Sequence, residues 1–144
     1  MPDELRARAL RLLSRREYGR HELSQKLAPY AASPEEIETL LDDLQARHFL
    51  SDQRYASQRV TARASRFGNR RLAEELRCKG IDEDCVRAAL VESPDEETRC
   101  RSVWQKKFAA LPASAEERVR QSRFLHNRGF SPEIIRRVLR GEAE

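Results

Sequence analysis

The sequence predicts an all-α protein of three tandem three-helix repeats, about nine helices stacked into an elongated, curved array. Three observations carry this prediction. Helix-start and helix-stop signals alternate along the whole 144-residue chain. Between them apolar residues return every three or four positions, and no stretch alternates polar and apolar as a strand would. A single gapless offset of 49 positions then brings apolar residues and glycines of one third onto those of the next.

The start signals are Ser-Pro-acidic clusters at Ser33-Pro34-Glu35-Glu36, Ser93-Pro94-Asp95-Glu96 and Ser131-Pro132-Glu133. In each the serine oxygen can accept from free N–H groups of the first turn, and proline stands where its missing N–H costs nothing. Glu36, Glu96 and, after Ser114, Glu117 follow the serine by three residues and complete capping boxes. Gly80, Gly129 and Gly141 close basic segments and should adopt positive φ as left-handed caps. Leu5, Ala9, Leu12 and Leu13 share a helix face, as do Ile37, Leu40, Leu41 and Leu44. Val60 with Ala64, Leu72 with Leu76, Val86 with Leu90, and Val103 with Phe108 continue the stripe to Ile134, Ile135, Val138 and Leu139. Helices are therefore expected near 3–16, 20–28, 34–46, 52–66, 69–79, 83–91, 95–110, 115–128 and 132–140.

The repeat runs from Tyr18-Gly19 to Phe67-Gly68, from Leu23 to Leu72, and from Leu27 to Leu76 and on to Leu125. Gly80 falls on Gly129, Ile81 on Phe130, Val86 on Ile135, and Tyr55 on Trp104. It weakens where Gly68 meets Glu117 and Leu72 meets Gln121. The repeats are expected at 1–48, 49–93 and 94–144, with Leu72, Leu76, Leu125, Phe130 and Ile135 buried.

Composition narrows the function. The chain is 39% hydrophobic and 36% charged, with a net charge of +4 and a pI near 9.2. Only four of its 28 basic residues are lysine. Arginine's planar fork suits phosphate or carboxylate, although GC-rich coding produces the same bias. Acids gather near helix starts, where they offset the helix dipole. Arg63, Arg66, Arg70, Arg71, Arg77 and Lys79 crowd one helix pair, and Arg120, Arg123 and Arg128 occupy the corresponding helix of the third repeat. The first basic cluster is opposed only by Glu74 and Glu75, and the second has no acid among its arginines. Stacked repeats should align the two clusters into one basic face for an anionic partner surface; the alternative is a merely solvated face.

Catalytic machinery is not expected. His21, His48 and His126 are scattered, the five glycines stand singly, and no serine or cysteine has a base at motif spacing. Cys78, Cys85 and Cys100 lack metal-ligand spacing and read as reduced thiols, so no cofactor and no metal are expected. Met1-Pro2-Asp3-Glu4 lacks the basic start of a secretion signal, and no apolar run spans a bilayer. A cytoplasmic monomer without membrane contact is the expectation.

Phe49-Leu50-Ser51-Asp52-Gln53-Arg54-Tyr55-Ala56, with Gly68-Asn69-Arg70-Arg71-Leu72 and Glu75-Leu76-Arg77-Cys78-Lys79-Gly80-Ile81, resembles the signature of the RecX regulatory proteins. Arg123-Phe124-Leu125 with Arg128-Gly129-Phe130-Ser131 is similar to that family's C-terminal motif. So, at the other end, is the run Ala9-Leu10, Leu12-Leu13 and Arg15-Arg16-Glu17-Tyr18. The resemblance covers nearly the whole chain; Cys78 stands where a larger or more polar residue is expected. It implies three three-helix repeats and a modulator that binds the RecA recombinase. It also implies binding to the RecA filament on single-stranded DNA, with restraint of ATPase, strand-exchange and coprotease activity in DNA repair and the SOS response. Single- and double-stranded DNA backbone are further candidate partners. Two other readings stand beside it. Leu13 through Leu27 resembles the helix-turn-helix of a DNA-binding repressor, and a helical-repeat scaffold needs no nucleic acid at all.

Overall fold

A computed structural model describes residues 2–141. It contains α1 (Pro2–Arg15), α2 (Arg20–Leu27), α3 (Pro34–Ala46), α4 (Asp52–Arg63), α5 (Asn69–Cys78), α6 (Glu83–Glu92), α7 (Glu96–Lys107), α8 (Ala115–Asn127) and α9 (Pro132–Arg140). A short 3-10 turn, Ala28–Tyr30, extends α2, and no strand occurs among the described residues. The three tandem three-helix repeats are therefore present as read.

Most caps form as their residue types require. The Ser33 hydroxyl accepts from the Glu36 N–H at 3.3 Å, and the Glu36 carboxylate accepts from the Ala32 N–H at 2.8 Å. Ser114 and Glu117 repeat this arrangement, the carboxylate reaching the Ala113 N–H at 2.7 Å. Ser131 accepts from the Ile134 N–H at 3.3 Å. The Ser93-Pro94 cluster behaves differently from expectation. Asp95, not Ser93, caps α7 through the Thr98 N–H at 3.2 Å, while the Ser93 hydroxyl donates to the Leu90 carbonyl at 2.8 Å. A carboxylate two residues downstream outcompetes the hydroxyl for the helix N-terminus, where a negative charge is favoured. Gly80 and Gly129 have φ of 78° and 94°, as cap geometry demands. His48 adopts φ 66° at the end of α3, a left-handed position that no glycine announces.

The chain divides into two compact units. The first comprises Met1–Gln58 with Leu76–Ala89, the second Arg59–Glu75 with Leu90–Glu144. This division differs from the three sequence repeats, because the middle repeat contributes residues to each. The first unit's core joins Leu5 and Ala9 of α1, Leu23 and Leu27 of α2, and Ile37, Leu41 and Leu44 of α3, with Tyr18 and Leu50. The second unit's core joins Cys100 and Val103 of α7, Leu125 of α8, Phe130, and Ile135, Val138 and Leu139 of α9. Leu72, Leu76, Leu125, Phe130 and Ile135 are all buried, so the register of the repeat holds.

Where the repeat weakens, the core changes chemistry. Gln121 takes the place of Leu72 and is 3% exposed. Its carbonyl accepts from the Trp104 indole N–H at 2.8 Å and its amide donates to the Ala110 carbonyl at 3.2 Å. Both ends of the buried amide are satisfied, which is what makes the substitution tolerable.

Candidate interaction site: two glycine junctions

In each unit a Tyr/Phe-Gly turn between two helices lies against the glycine turn of a second helix pair. In the first unit Tyr18-Gly19 meets Lys79-Gly80-Ile81: a Cβ on Gly19 would stand 3.2 Å from Ile81 Cδ1, and one on Gly80 would stand 2.8 Å from His21 Cβ. In the second unit Phe67-Gly68 meets Arg128-Gly129-Phe130, and the approach is backbone on backbone. The Gly68 N–H donates to the Arg128 carbonyl at 2.7 Å and the Arg70 N–H to the Gly129 carbonyl at 3.2 Å. A Cβ on Gly68 would overlap the Gly129 carbonyl carbon and oxygen, and one on Gly129 would overlap Arg71 Cβ.

The N-termini of α2 and α5 are finished alike. The Arg20 N–H donates to the Asp52 carboxylate at 2.7 Å, and the equivalent Asn69 N–H donates to the Glu96 carboxylate at 2.8 Å. In the second unit the turn is held from its other side as well. The Arg99 side chain is 5% exposed, and its guanidinium donates to the carbonyls of Phe67 (2.8 Å), Ala64 (3.1 Å) and Pro94 (2.9 Å) and to the Asn69 amide oxygen. Burial lowers its pKa, with the Glu96 and Asp95 charges opposing. The guanidinium thus satisfies free carbonyls beyond the end of α4. It also explains why α4 stops at Arg63, short of the expected 66.

Around this fixed turn the side chains gather charge. The guanidiniums of Arg63, Arg66, Arg71 and Arg128 lie 4.5, 5.4, 4.1 and 5.6 Å from the centre of the Phe67 ring. Cations are attracted to the face of an aromatic ring, so Phe67 collects them where water alone would keep them apart. Arg128 also lies 4.9 Å from the half-buried Phe124, against which the Lys107 ammonium stands at 5.5 Å. Arg70 donates to the His126 carbonyl at 2.6 Å and Arg128 to the Arg66 carbonyl at 3.4 Å, which fixes their stems. Glu75 is the acid among them. Arg63 grips it with two bonds of 2.7 and 2.8 Å, while Arg71 and Arg59 stand 3.4 and 3.9 Å away. Burial alone would raise the Glu75 pKa, but Arg63 first, then Arg71 and Arg59, bring it below the ordinary value.

The expected basic face is thus assembled in part. Arg63, Arg66, Arg71 and Arg128 come together around Phe67, while Arg70 reaches the His126 carbonyl. Arg120 and Arg123 lie exposed on α8, with Arg123 one turn before Asn127, whose carbonyl accepts from Arg71. Arg77 and Lys79 belong to the first unit, where Arg77 pairs with Glu83 and Lys79 lies 4.0 Å from Glu22. Sequence reading missed Arg99 and Glu96 as supports and Phe67 as the ring around which the arginines group. Arg99 left a trace: at the 49-residue offset it falls on Leu50, which is 2% exposed.

Profiles described as the first, second and third three-helix domains of RecX match residues 6–44, 51–90 and 95–139 in that order. The chain is 49% identical over 140 residues to the regulatory protein RecX of Chromobacterium violaceum, covering 97% of this chain and 91% of that one. It is 44% identical to the regulatory protein RecX of Pseudomonas fluorescens, covering 95% and 90%. The crystal structure of RecX from Lactobacillus salivarius shares the fold, with a TM-score of 0.85 at 21% identity and coverage of 97% and 95%. Three consecutive domain matches over nearly the full length, and relatives near half identity, place this chain in the RecX family of regulatory proteins.

Proposed function

We propose that this chain binds RecA and the RecA filament on single-stranded DNA and restrains the filament's growth, ATPase, strand-exchange and coprotease activities. It would do so as a non-catalytic monomer in the cytoplasm, in DNA repair and the SOS response. The observation that carries the reading is the ordered match to all three RecX domains across the chain. The Phe67 arginine cluster supports it, because four guanidiniums against one carboxylate leave a dense positive surface for phosphate or acidic side chains. No helix among the described residues is long and apolar enough to cross a membrane.

The helix-turn-helix reading fares less well. A recognition helix offers its N-terminal residues to base edges. In α2 those residues are engaged: the Arg20 guanidinium meets Glu38, Asp42 and Gln45, and His21 lies against Gly80. The test is RecA ATPase on single-stranded DNA with this protein titrated in. Inhibition at substoichiometric ratios is expected; unchanged turnover at an equimolar ratio would refute the proposal. Binding to one duplex sequence in preference to others would favour a repressor instead.

A further inference from the structure

We propose that Glu75 is a built-in competitor of the phosphate site: its carboxylate holds the place that a phosphate of a single-stranded nucleic acid takes when Arg63 and Arg71 bind it. The inference rests on the reading of the Phe67 cluster as the contact surface.

The geometry of Arg63 on Glu75 is that of a guanidinium on an anionic ligand. Its Nε and Nη2 donate to the two carboxylate oxygens at 2.7 and 2.8 Å, the fork that arginine makes equally with phosphate. Arg71 donates to one of these oxygens and Arg59 approaches the other. One carboxylate thus sits among three guanidiniums and cannot saturate them. The Arg59 Nε–H is itself buried without an acceptor among the described residues. Arg66, Arg70 and Arg128 add positive charge around the same turn without an acid of their own among the described contacts.

The pair is also releasable. The side chains of Glu75 and Arg63 are 22% and 21% exposed, so water reaches both and a ligand can follow. Glu75 lies on α5 beside the exposed Glu74, and a turn of its side chain toward solvent frees the fork without moving the helix. Phosphate is favoured over acidic protein surface by charge density. Guanidiniums grouped within 5.6 Å of one ring centre match the phosphates of a strand, whose close spacing the covalent backbone enforces against their repulsion, whereas separate carboxylates have no such constraint and would spread apart. Glu75 therefore holds the site in a formed but attenuated state, and strand binding must displace it.

Glu75→Gln and Glu74→Gln remove the same charge from neighbouring positions, and only the first frees the fork. Each full-length variant is titrated with a labelled oligothymidylate by fluorescence anisotropy at several salt concentrations, with circular dichroism confirming the fold. Glu75→Gln should tighten binding roughly tenfold and steepen the log–log salt slope by about 0.7 to 1.4, one or two further phosphate contacts. Glu74→Gln should change affinity less than about twofold, since it alters only the distant field. Equal gains in the two variants would overturn the proposal, as net charge alone would then explain them. Weaker binding by folded Glu75→Gln would overturn it too, since Glu75 would then be preorganising the arginines. Unchanged binding by Arg128→Ala would instead refute the cluster as the contact surface.

Discussion

At the first junction Glu22 lies between cations: Arg16 grips it with two bonds, one of 2.8 Å, and Lys79 stands 4.0 Å away. At the second junction, 49 positions on, Arg71 holds the place of Glu22, and Arg70 that of His21. The backbone plan is shared, with a glycine turn docked on a glycine turn and the following helix capped by a carboxylate from another helix. The first junction is neutralised by its own acid. The second accumulates arginines around Phe67, where the first has Arg16 stacked on Tyr18 at 3.7 Å. One duplicated frame thus serves in one unit as a joint and in the other as a surface charged beyond its own needs. Side chains at a few positions, not the fold, make the difference.

The comparison is most sharply tested at the glycines themselves. Gly68→Ala should destabilise by about 3 kcal/mol or more, because its Cβ meets rigid backbone at Gly129. Gly19→Ala should cost about 1 kcal/mol or less, since the nearest atom is the mobile end of Ile81. Urea denaturation of the two variants distinguishes them, and equal costs would mean that the junctions are equally tight. Next in size, Arg99→Ala leaves the Phe67, Ala64 and Pro94 carbonyls without their donor and should cost about 2–3 kcal/mol. Hydrogen exchange at Gly68 and Asn69 should quicken more than at Gly19 and Arg20. Uniform acceleration would deny Arg99 a local role.

A charge exchange tests what the arginines do. Arg71→Glu writes the acid of the first junction into the second, and should weaken binding to single-stranded DNA about tenfold while lowering the salt slope by about 0.7 or more. Glu22→Gln should leave that binding within about twofold. A reversed ranking in anisotropy would place the contact in the first unit.

Acid should loosen both junctions. The Arg16 hydrogen bond first, against burial, holds the Glu22 pKa down, and Glu75 is likewise lowered. A depressed folded pKa means stability present above the unfolded value of about 4.3 and lost as pH falls through the lower folded one. Melting temperature should therefore drop on acidification below about pH 4, and Glu22→Gln and Glu75→Gln should each flatten that limb. A pH-independent melt would show the pairs to be inert. The smallest effect is chemical. Burial pushes the Cys100 thiol up to about 12 and that of the half-buried Cys85 to about 11, so native labelling should be slow at both and fastest at the exposed Cys78. Labelling rates at Cys85 and Cys100 then report the opening of the first and second units separately.

Helices, caps and repeat register were legible in the sequence because each rests on local chemistry. Ser33 and Ser114 cap the chain that follows them, glycine relieves a left-handed turn wherever it stands, and a 3.6-residue stripe needs no knowledge of its neighbour. The family was legible for a related reason, since its motifs are the turns and stripes of the repeats. The Asp95 cap on α7 was missed because two capping groups two residues apart both fit the pattern, and only their competition for the same N–H groups separates them. Arg63, Arg66, Arg71 and Arg128 were expected on one basic face, yet their grouping around Phe67 was not. Spacing gives the face of a helix but not the ring toward which four long side chains converge. Arg77 and Lys79 looked the same in sequence and turned out to answer Glu83 and Glu22 in the other unit.

By itself the sequence determined the all-α class, the three repeats, the buried leucines and the surplus of arginine, all of them sums over local preferences. Only the tertiary structure decided that Arg99 is buried on backbone carbonyls, that Glu96 caps a helix 27 residues earlier, and that Glu75 is shared among arginines of two helices. Those choices depend on distances between segments far apart in the chain. An ion pair or a cap draws its strength from proximity, which residue types alone do not specify.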